Sequence, residues 1–178
     1  MNKIRIITFC VFLVIFTAIF QLGSMSTVSE EESALFMEEF EKLVLDIDGF
    51  GIYVHNTTIA LPMFIPGFGI FWGLFSSWST GYAFAAIVTS MPEIANISPL
   101  TILFLTPFGL MEISAYSLGI SRSFILIKAI FTKTNLFQFI KPTIIEIGIV
   151  VALLLAGGYI EFYMIELVEN ESLEIPGF

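Results

Sequence analysis

The sequence predicts an all-α, multipass transmembrane helical bundle of about five membrane helices with one extracellular amphipathic helix. Hydrophobic residues make up 57% of the 178 residues and charged residues 13%, whereas a soluble domain has about 25% charged residues. Long apolar runs alternate with short polar stretches, so most of the chain is expected to lie in lipid. The net charge of −9 argues against nucleic acid as a partner.

The first apolar segment, within residues 1–23, is nearly unbroken from Ile4 to Leu22. Its length suits a membrane span, and the residues from Gln21 to Ser26 match a signal-peptidase site badly. Two interpretations are open, a cleaved signal peptide and a permanent N-terminal transmembrane anchor. The anchor is favoured.

Residues 24–56 form the predicted extracellular part, an acidic amphipathic helix. Ser29 and Glu32 have the spacing of a capping box. The apolar face comprises Phe36, Phe40, Leu43, Val44 and Ile47, and the opposite face Glu38, Glu39, Glu41 and Asp46. A helix lying on anionic lipid would carry Lys and Arg instead. The apolar face is therefore predicted to pack on the other helices or on a partner protein.

Residues 57–166 are predicted to form a four-segment membrane domain. The segments run from Thr57 to about Phe75, from Gly81 to Met91, from Leu100 to about Ile120 and from Pro142 to about Ile165. They are the second to fifth apolar segments of the chain. A short turn at 76–80 separates the second segment from the third. A basic cytoplasmic loop at 121–141 separates the fourth from the fifth, and an acidic tail follows at 167–178. Small residues spaced four apart predict close helix packing; they are Gly69 and Gly73, and Gly148, Ala152 and Ala156.

The basic residues predict the orientation. Five crossings from a cytoplasmic N-terminus place six of the seven basic residues inside, as the positive-inside rule requires. Those inside are Lys3, Arg5, Arg122, Lys128, Lys133 and Lys141, and only Lys42 is outside. The expected location is the plasma membrane, with the C-terminus outside.

The stretch from Thr101 to Ile120 holds the predicted functional centre, because Pro107, Gly109 and Glu112 lie within six positions. A carboxylate in mid-membrane costs about 2.5–3.5 kcal/mol and usually faces a partner inside the protein. Proline is expected to distort the helix and free a carbonyl near Leu103. Two interpretations of Glu112 are open: a neutral glutamate bonded to that carbonyl or to a Ser/Thr hydroxyl, and an ion or proton site.

One helical face of this stretch is predicted to point into the bundle, toward the second or the fifth segment. It comprises Phe108, Glu112, Ala115, Tyr116 and Gly119, which share a side of an α-helix. Two of them are small, so this face can lie close to another helix.

Several short motifs occur between residues 50 and 165. They are Asn56, Gly81 after Ser79-Thr80, Gly109 and Glu112 in Phe108-Gly109-Leu110-Met111-Glu112, and Glu161 in Gly157-Gly158-Tyr159-Ile160-Glu161. In this order, over about residues 50–165, the chain resembles the stage II sporulation protein M family of integral membrane proteins. The histidine of that family's His-Gly-x-x-Glu motif is replaced by Phe108, and the Asn of its Asn-Gly turn is missing.

The resemblance implies a cell-membrane protein without catalysis of its own, a scaffold or subunit of a cell-envelope or membrane-remodelling assembly. Its expected partners are membrane lipid and other membrane or envelope proteins, or further copies of the chain. The alternative is a small oligomeric channel or transporter with Glu112 in the pathway. The sequence has no nucleotide-binding, metalloprotease or serine-hydrolase motif, and one Cys with one His cannot form a Cys/His zinc site. We expect no catalytic residue, cofactor or metal.

Overall fold

The computed structural model describes residues 3–45 and 47–173. Seven α-helices and no strands occur in this part of the chain, which confirms the all-α prediction. They are α1 (Lys3–Ser24), α2 (Glu30–Val44), α3 (Gly49–Ala60), α4 (Phe68–Ser90), α5 (Pro99–Leu105), α6 (Pro107–Phe131) and α7 (Phe137–Leu173). The 3₁₀ helix Leu61–Phe64 joins α3 to α4, and a second one, Pro92–Asn96, follows α4.

Three helical stretches in the described residues are long and apolar enough to cross a membrane: α1, α6 and Phe137–Leu167 of α7. This indicates membrane association, as the composition predicts. Of the apolar window in each, 56% is buried in α6, against 22% in α1 and 28% in α7. The helix that carries Glu112 is therefore the central helix of the bundle.

The helices run in two opposite directions. Ser77 of α4 donates a hydrogen bond to the Phe16 carbonyl of α1, and further along Gly81 lies against the Phe20 carbonyl, so α1 and α4 are parallel. Helix α6 is antiparallel to α1, because Arg5 contacts Ser121 while Phe16 contacts Tyr116.

Helices α3 and α7 also run in one of these two directions. Helix α3 runs with α6, since Asn56 contacts Glu112 and Ile65, after α3, contacts Ser123. Helix α7 runs against α6, since Glu146 contacts Arg122 near the end of α6 and Gly157 lies against Phe108 near its beginning. The start of α1, the end of α6 and the start of α7 thus meet at one end, the basic end. Helix α2 lies at the other, the acidic end.

The core lies midway between the two ends. Its fully buried large side chains include Met63 from the 3₁₀ helix after α3, Ile113 and Ile120 from α6, and Val150 and Leu154 from α7. Phe12 and Phe16 of α1 close the cluster. Because lipid is as apolar as these side chains, close packing rather than removal from water holds such helices together.

The helix boundaries within the second and third predicted segments differ from the expected ones. The segment predicted over 57–75 is broken at Leu61–Phe64, where Pro62 and Pro66 interrupt the helix and Gly67 adopts a φ of 78°. The predicted turn at 76–80 is wrong, because α4 is continuous from Phe68 to Ser90. The hydroxyls of Ser76 and Thr80 donate to carbonyls four residues back, so the polar run remains helical.

The fourth predicted segment is also shifted. Pro107 is the first residue of α6, after an N-cap at Thr106 whose hydroxyl accepts from the Gly109 amide at 3.2 Å. Proline therefore starts this helix instead of kinking it. The basic loop predicted at 121–141 is wrong over residues 121–131, which belong to α6, and from Phe137 onward, where α7 begins.

The predicted extracellular part contains α2 and most of α3. The capping box of Ser29 and Glu32 is present, which confirms that prediction. Phe36 and Phe40 are half-buried and stack at 5.8 Å, whereas Leu43 is exposed, so only part of the apolar face is covered. Asp46, the side chain of Val44 and residues 174–178 of the predicted tail lie outside the described part, and the tail up to Leu173 continues α7.

Candidate functional site

Two buried polar sites lie at different depths of the bundle. The first contains Asn56, Glu112, Tyr116 and Glu161, and we refer to it as the amide–carboxyl site. The second contains Arg5, Arg122 and Glu146, and we refer to it as the arginine–glutamate cluster. The predicted functional centre lies in the first, and the second was not predicted.

Glu112 is paired with the side chain of Asn56, whose Nδ2 donates a hydrogen bond to Glu112 Oε1. Neither predicted partner, the carbonyl near Leu103 or a Ser/Thr hydroxyl, is used. The reason is that α3 starts at Gly49, well before the predicted span, and so carries Asn56 inside the bundle to the depth of Glu112. Asn56 is only 9% exposed, so its amide needs this partner.

Tyr116 and Glu161 complete the amide–carboxyl site. Tyr116 follows Glu112 by one turn of α6 and is 7% exposed. Glu112 and Glu161 lie close enough to interact electrostatically with each other and with Tyr116. Within the described residues, Glu161 Oε2 is buried without a hydrogen-bond partner. Two carboxylates in a low-dielectric site repel each other strongly, so the arrangement suits a site that holds at least one proton or a cation.

The face of α6 predicted to point into the bundle does so. Ala115, Tyr116 and Gly119 are buried. A Cβ at Gly119 would lie 3.0 Å from the Met63 Cβ, and Gly157 of α7 lies against the Phe108 Cα. The face therefore contacts both predicted neighbours, the second segment through Met63 and the fifth through α7.

The arginine–glutamate cluster joins three helices at the basic end. Arg5 donates from Nε and Nη2 to the two carboxylate oxygens of Glu146 at 2.7 and 2.9 Å, and Arg122 donates from Nε to Oε2 at 2.7 Å and from Nη2 to Oε1. Arg5 also donates to Ser121 Oγ at 2.6 Å and to the Leu118 carbonyl at 3.1 Å. All three charged residues are less than 9% exposed. Two guanidinium groups share one carboxylate, which leaves one surplus positive charge.

A signal for this cluster was present in the sequence. Glu146 is an acid in an apolar segment, and the positive-inside topology already placed Arg5 and Arg122 at the same membrane side as the start of that segment. A buried carboxylate needs a partner, and these two arginines were the candidates.

An apolar layer separates the two polar sites. Met63, Ile120, Val150 and Leu154 are fully buried between them. Glu146 and Glu161 lie 15 positions apart on α7, which corresponds to about 22 Å along the helix axis.

The predicted packing glycines differ in what they contact. A Cβ at Gly69 would lie 2.0 Å from the Met63 carbonyl and one at Gly73 would lie 2.3 Å from Ile120 Cγ1, so both are required for close approach. Gly81 lies in mid-helix, where a Cβ would be 2.1 Å from the Phe20 carbonyl, and not after a turn. At Gly109 a Cβ would be 2.7 Å from the Leu103 carbonyl.

The predicted stripe of Gly148, Ala152 and Ala156 lies on the exposed side of α7. A Cβ at Gly148 would meet nothing within 4 Å, so this stripe does not supply the packing within the described bundle that was expected of it. Helix α7 packs instead through Val150, Leu154 and Gly158, where a Cβ would be 2.9 Å from the Gly49 carbonyl.

The described residues contain no group of three or more His, Cys, Asp or Glu side chains placed to bind a metal ion. Comparison of the chain with protein-family models, with curated proteins and with solved structures gave no match.

Proposed function

We propose that this chain is a non-enzymatic integral membrane protein that acts as a scaffold or subunit of a cell-envelope or membrane-remodelling assembly. It crosses the membrane five times, through α1, through α3 with the following 3₁₀ helix, and through α4, α6 and α7. The alternating directions of these helices support this number, and α4 contains no charged residue.

The proposed orientation has the basic end in the cytoplasm and the acidic end outside. Lys128, Lys133 and Lys141 lie near the end of α6 and the start of α7, and Lys42 lies on α2 at the opposite end. The distribution of charge between the two ends supports this orientation through the positive-inside rule.

The observation that carries the proposed role is the exposed surface of α2. This helix is attached to α4 through Ser33, whose hydroxyl donates to the Ala86 carbonyl at 2.6 Å and lies 2.5 Å from Ser90 Oγ. Leu35 and Leu43 on α2 are 59% and 65% exposed, and Leu45 just after its end is 75% exposed. Leucines exposed on a helix that lies outside the membrane favour a contact with another protein. The surrounding glutamates suit a partner with basic residues around an apolar patch.

The amide–carboxyl site favours a second candidate function, a channel or transporter with Glu112 in its pathway. The apolar layer of Met63, Ile120, Val150 and Leu154 argues against it, because a path from this site to the basic end has to pass through closely packed side chains. We therefore place the scaffold role first.

Native gel electrophoresis of the tagged chain, extracted gently from its own membranes, tests the proposal. We expect a complex larger than the monomer that the double variant Leu35→Gln/Leu43→Gln dissociates. Met25→Gln is the control, since Met25 is 69% exposed just after α1 and is not part of α2. A wild-type chain that migrates as a monomer contradicts the scaffold role. Proton or cation flux into proteoliposomes that Glu112→Gln abolishes would establish the second candidate instead.

A further inference from the structure

An apolar groove lies between α6 and α7 at the basic end, apart from both polar sites. Its volume is about 260 Å³, and it is lined by Pro66, Leu126, Ile130, Leu136, Phe139, Ile140, Thr143 and Ile144. The one polar side chain, Thr143, donates its hydroxyl hydrogen to the Phe139 carbonyl at 2.7 Å. The groove therefore offers its occupant an almost wholly apolar wall.

Two lysines flank this groove. Lys133 follows Ile130 by three positions just beyond the end of α6, and Lys141 precedes Ile144 by three positions on α7. On α7, residues three apart are neighbours on the helix surface, so Lys141 lies beside Ile144. Lys133 lies in the connection between Ile130 and Leu136, which both line the groove. Both lysines are exposed, and neither forms a salt bridge with a described residue. Cationic groups thus stand beside an apolar groove.

The third lysine at this end lies elsewhere on α6. Lys128 is two positions from both Leu126 and Ile130, which at 3.6 residues per turn places it about 200° around the helix from each groove residue. It has the same charge at a similar depth but faces away from the groove. It is therefore a matched control for the other two.

The arginine–glutamate cluster adds to the positive charge behind the groove. Arg122 precedes Leu126 by one turn of α6, and Glu146 follows Thr143 by three positions on α7. The cluster has two guanidinium groups for one carboxylate. Its surplus charge is buried, so mobile ions screen it less than an exposed charge. An anionic group near the groove is consequently attracted both by the exposed lysines and by the buried arginine–glutamate cluster.

We propose that this groove binds an anionic phospholipid from the membrane leaflet at the basic end. One acyl chain lies along the apolar wall, and the phosphate lies between Lys133 and Lys141. The groove is slightly smaller than the roughly 300–1,000 Å³ typical of small-molecule pockets, which suits a segment of a flexible chain. The choice of an anionic rather than a zwitterionic lipid follows from the two unpaired lysines and the surplus charge.

Native mass spectrometry of the full-length chain tests this with phosphatidylglycerol and phosphatidylcholine of identical acyl chains. We expect one phosphatidylglycerol molecule to be retained in preference to phosphatidylcholine. Lys133→Gln and Lys141→Gln should each lower this preference about fivefold, the factor expected for one lysine near an anionic group. Lys128→Gln and Lys42→Gln, which change the net charge equally, should leave it unchanged.

A second variant tests the apolar wall. Ile140→Trp fills the groove at a position that is half exposed and should reduce retention of both lipids without loss of thermal stability. Three results would overturn the proposal: equal retention of the two lipids by the wild-type chain, an equal effect of Lys128→Gln and Lys133→Gln, and a second copy of the chain displaced by Ile140→Trp.

Discussion

Glu112 and Glu146 are both carboxyl groups in apolar helices, but their neighbours give them different roles. Glu146 accepts hydrogen bonds from two guanidinium groups, so the cluster requires its negative charge. Glu112 accepts from the neutral amide of Asn56 and lies near a second carboxyl group, Glu161. A negative charge is therefore necessary at Glu146 and is not required by the neighbours of Glu112.

Substitution of Glu112 should show whether the stability of the protein depends on the shape of this side chain or on its charge. Glu112→Gln keeps an oxygen acceptor for the Asn56 amide and should leave the melting temperature in detergent nearly unchanged. Glu112→Ala leaves that buried amide without a partner and should cost about 1–3 kcal/mol.

Asn56→Ala is the partner variant for this experiment, and the double variant with Glu112→Ala should be less destabilised than the sum of the two. Equal destabilisation by Glu112→Gln and Glu112→Ala would mean that a charged carboxylate is needed, in favour of an ion site.

Glu146→Gln should be far more harmful than Glu112→Gln. It leaves two buried guanidinium groups without a counter-charge, and loss of one partner from a buried ion pair costs about 3–5 kcal/mol. The melting temperature in detergent measures the loss. Glu38→Gln is the control, because it breaks the exposed Lys42–Glu38 pair, and such helical pairs contribute about 0.3–0.5 kcal/mol. Similar melting temperatures for the two variants would show that the cluster contributes no more than a surface pair.

Residue patterns predicted the inward face of α6 and the segments it contacts, but not the side chain that pairs with Glu112. Small and polar residues recurred on one side of an apolar helix, and that periodicity is local. The partner Asn56 lies 56 positions away, and its depth depends on where α3 begins. That boundary is set by the N-cap at Asp48, whose carboxylate accepts from the Gly51 amide at 2.7 Å. This cap lay within a stretch predicted to be extracellular.

At the scale of elements, α1 and α4 approach each other closely along glycines on both helices. A Cβ at Gly23 would lie 2.2 Å from the Trp78 carbonyl, and one at Gly81 would lie 2.1 Å from the Phe20 carbonyl. Both distances are to backbone atoms, so no side-chain rearrangement relieves them. The separation of these two helices is thus fixed by the absence of side chains at two positions.

Gly81→Ala and Gly148→Ala should have opposite effects on stability. The first forces α1 and α4 apart and should cost about 1–3 kcal/mol, as overpacked sites do. The second meets nothing within 4 Å and should stabilise α7 by about 0.5–1 kcal/mol, because alanine suits a helix better than glycine. Thermal unfolding in detergent measures both, and a loss of stability in Gly148→Ala would indicate a contact with another molecule on that face.

The start of α2 should depend on pH through its capping box. Hydrogen bonds from the Ser29 backbone amide at 3.0 Å and from its hydroxyl at 2.7 Å hold the pKa of Glu32 below its ordinary value. The ionised carboxylate therefore stabilises the first turn above the ordinary pKa, and this contribution is lost as the pH falls through the lowered one. Amide exchange protection in the first turn of α2 should decrease in acid.

The Glu32→Gln variant should show no such acid-dependent decrease. Glu31→Gln, which removes a carboxylate outside the capping box, should retain it. Unchanged protection of the wild-type helix in acid would show that the carboxylate does not hold this turn.

Three helix boundaries differ from those that the sequence predicts: a kink at Pro107, a turn at Ser76–Thr80 and a loop at Arg122. At Pro107 the cause is local, because Thr106 caps α6 and proline suits its first position. At the other two, contacts made by folding keep polar residues in helices: a bond from Ser77 to α1 and the carboxylate of Glu146. Polar residues in an apolar sequence suggest helix boundaries, whereas hydrogen bonds inside the bundle keep these two stretches helical.

For the whole molecule, labelling of single cysteines from outside intact cells tests the five crossings. Cys10 is first replaced by Ala. Cysteines in the stretch 25–29, before α2, should react with an impermeant reagent, and cysteines in 132–136, between α6 and α7, should not. The reason is that these two connections lie at opposite ends of the bundle. Reaction at 132–136 in sealed cells would rule out a cytoplasmic basic end.

The arginine–glutamate cluster also bears on the order in which the protein is made. Arg5 leaves the ribosome long before the carboxylate that neutralises it, which follows 141 positions later. Arg122 is synthesised before that carboxylate as well. Until α7 enters the membrane, the nascent chain holds two guanidinium groups whose counter-charge does not yet exist. A chain that stops before α7 is thus chemically distinct from a finished one, because its two arginines have no carboxylate to share.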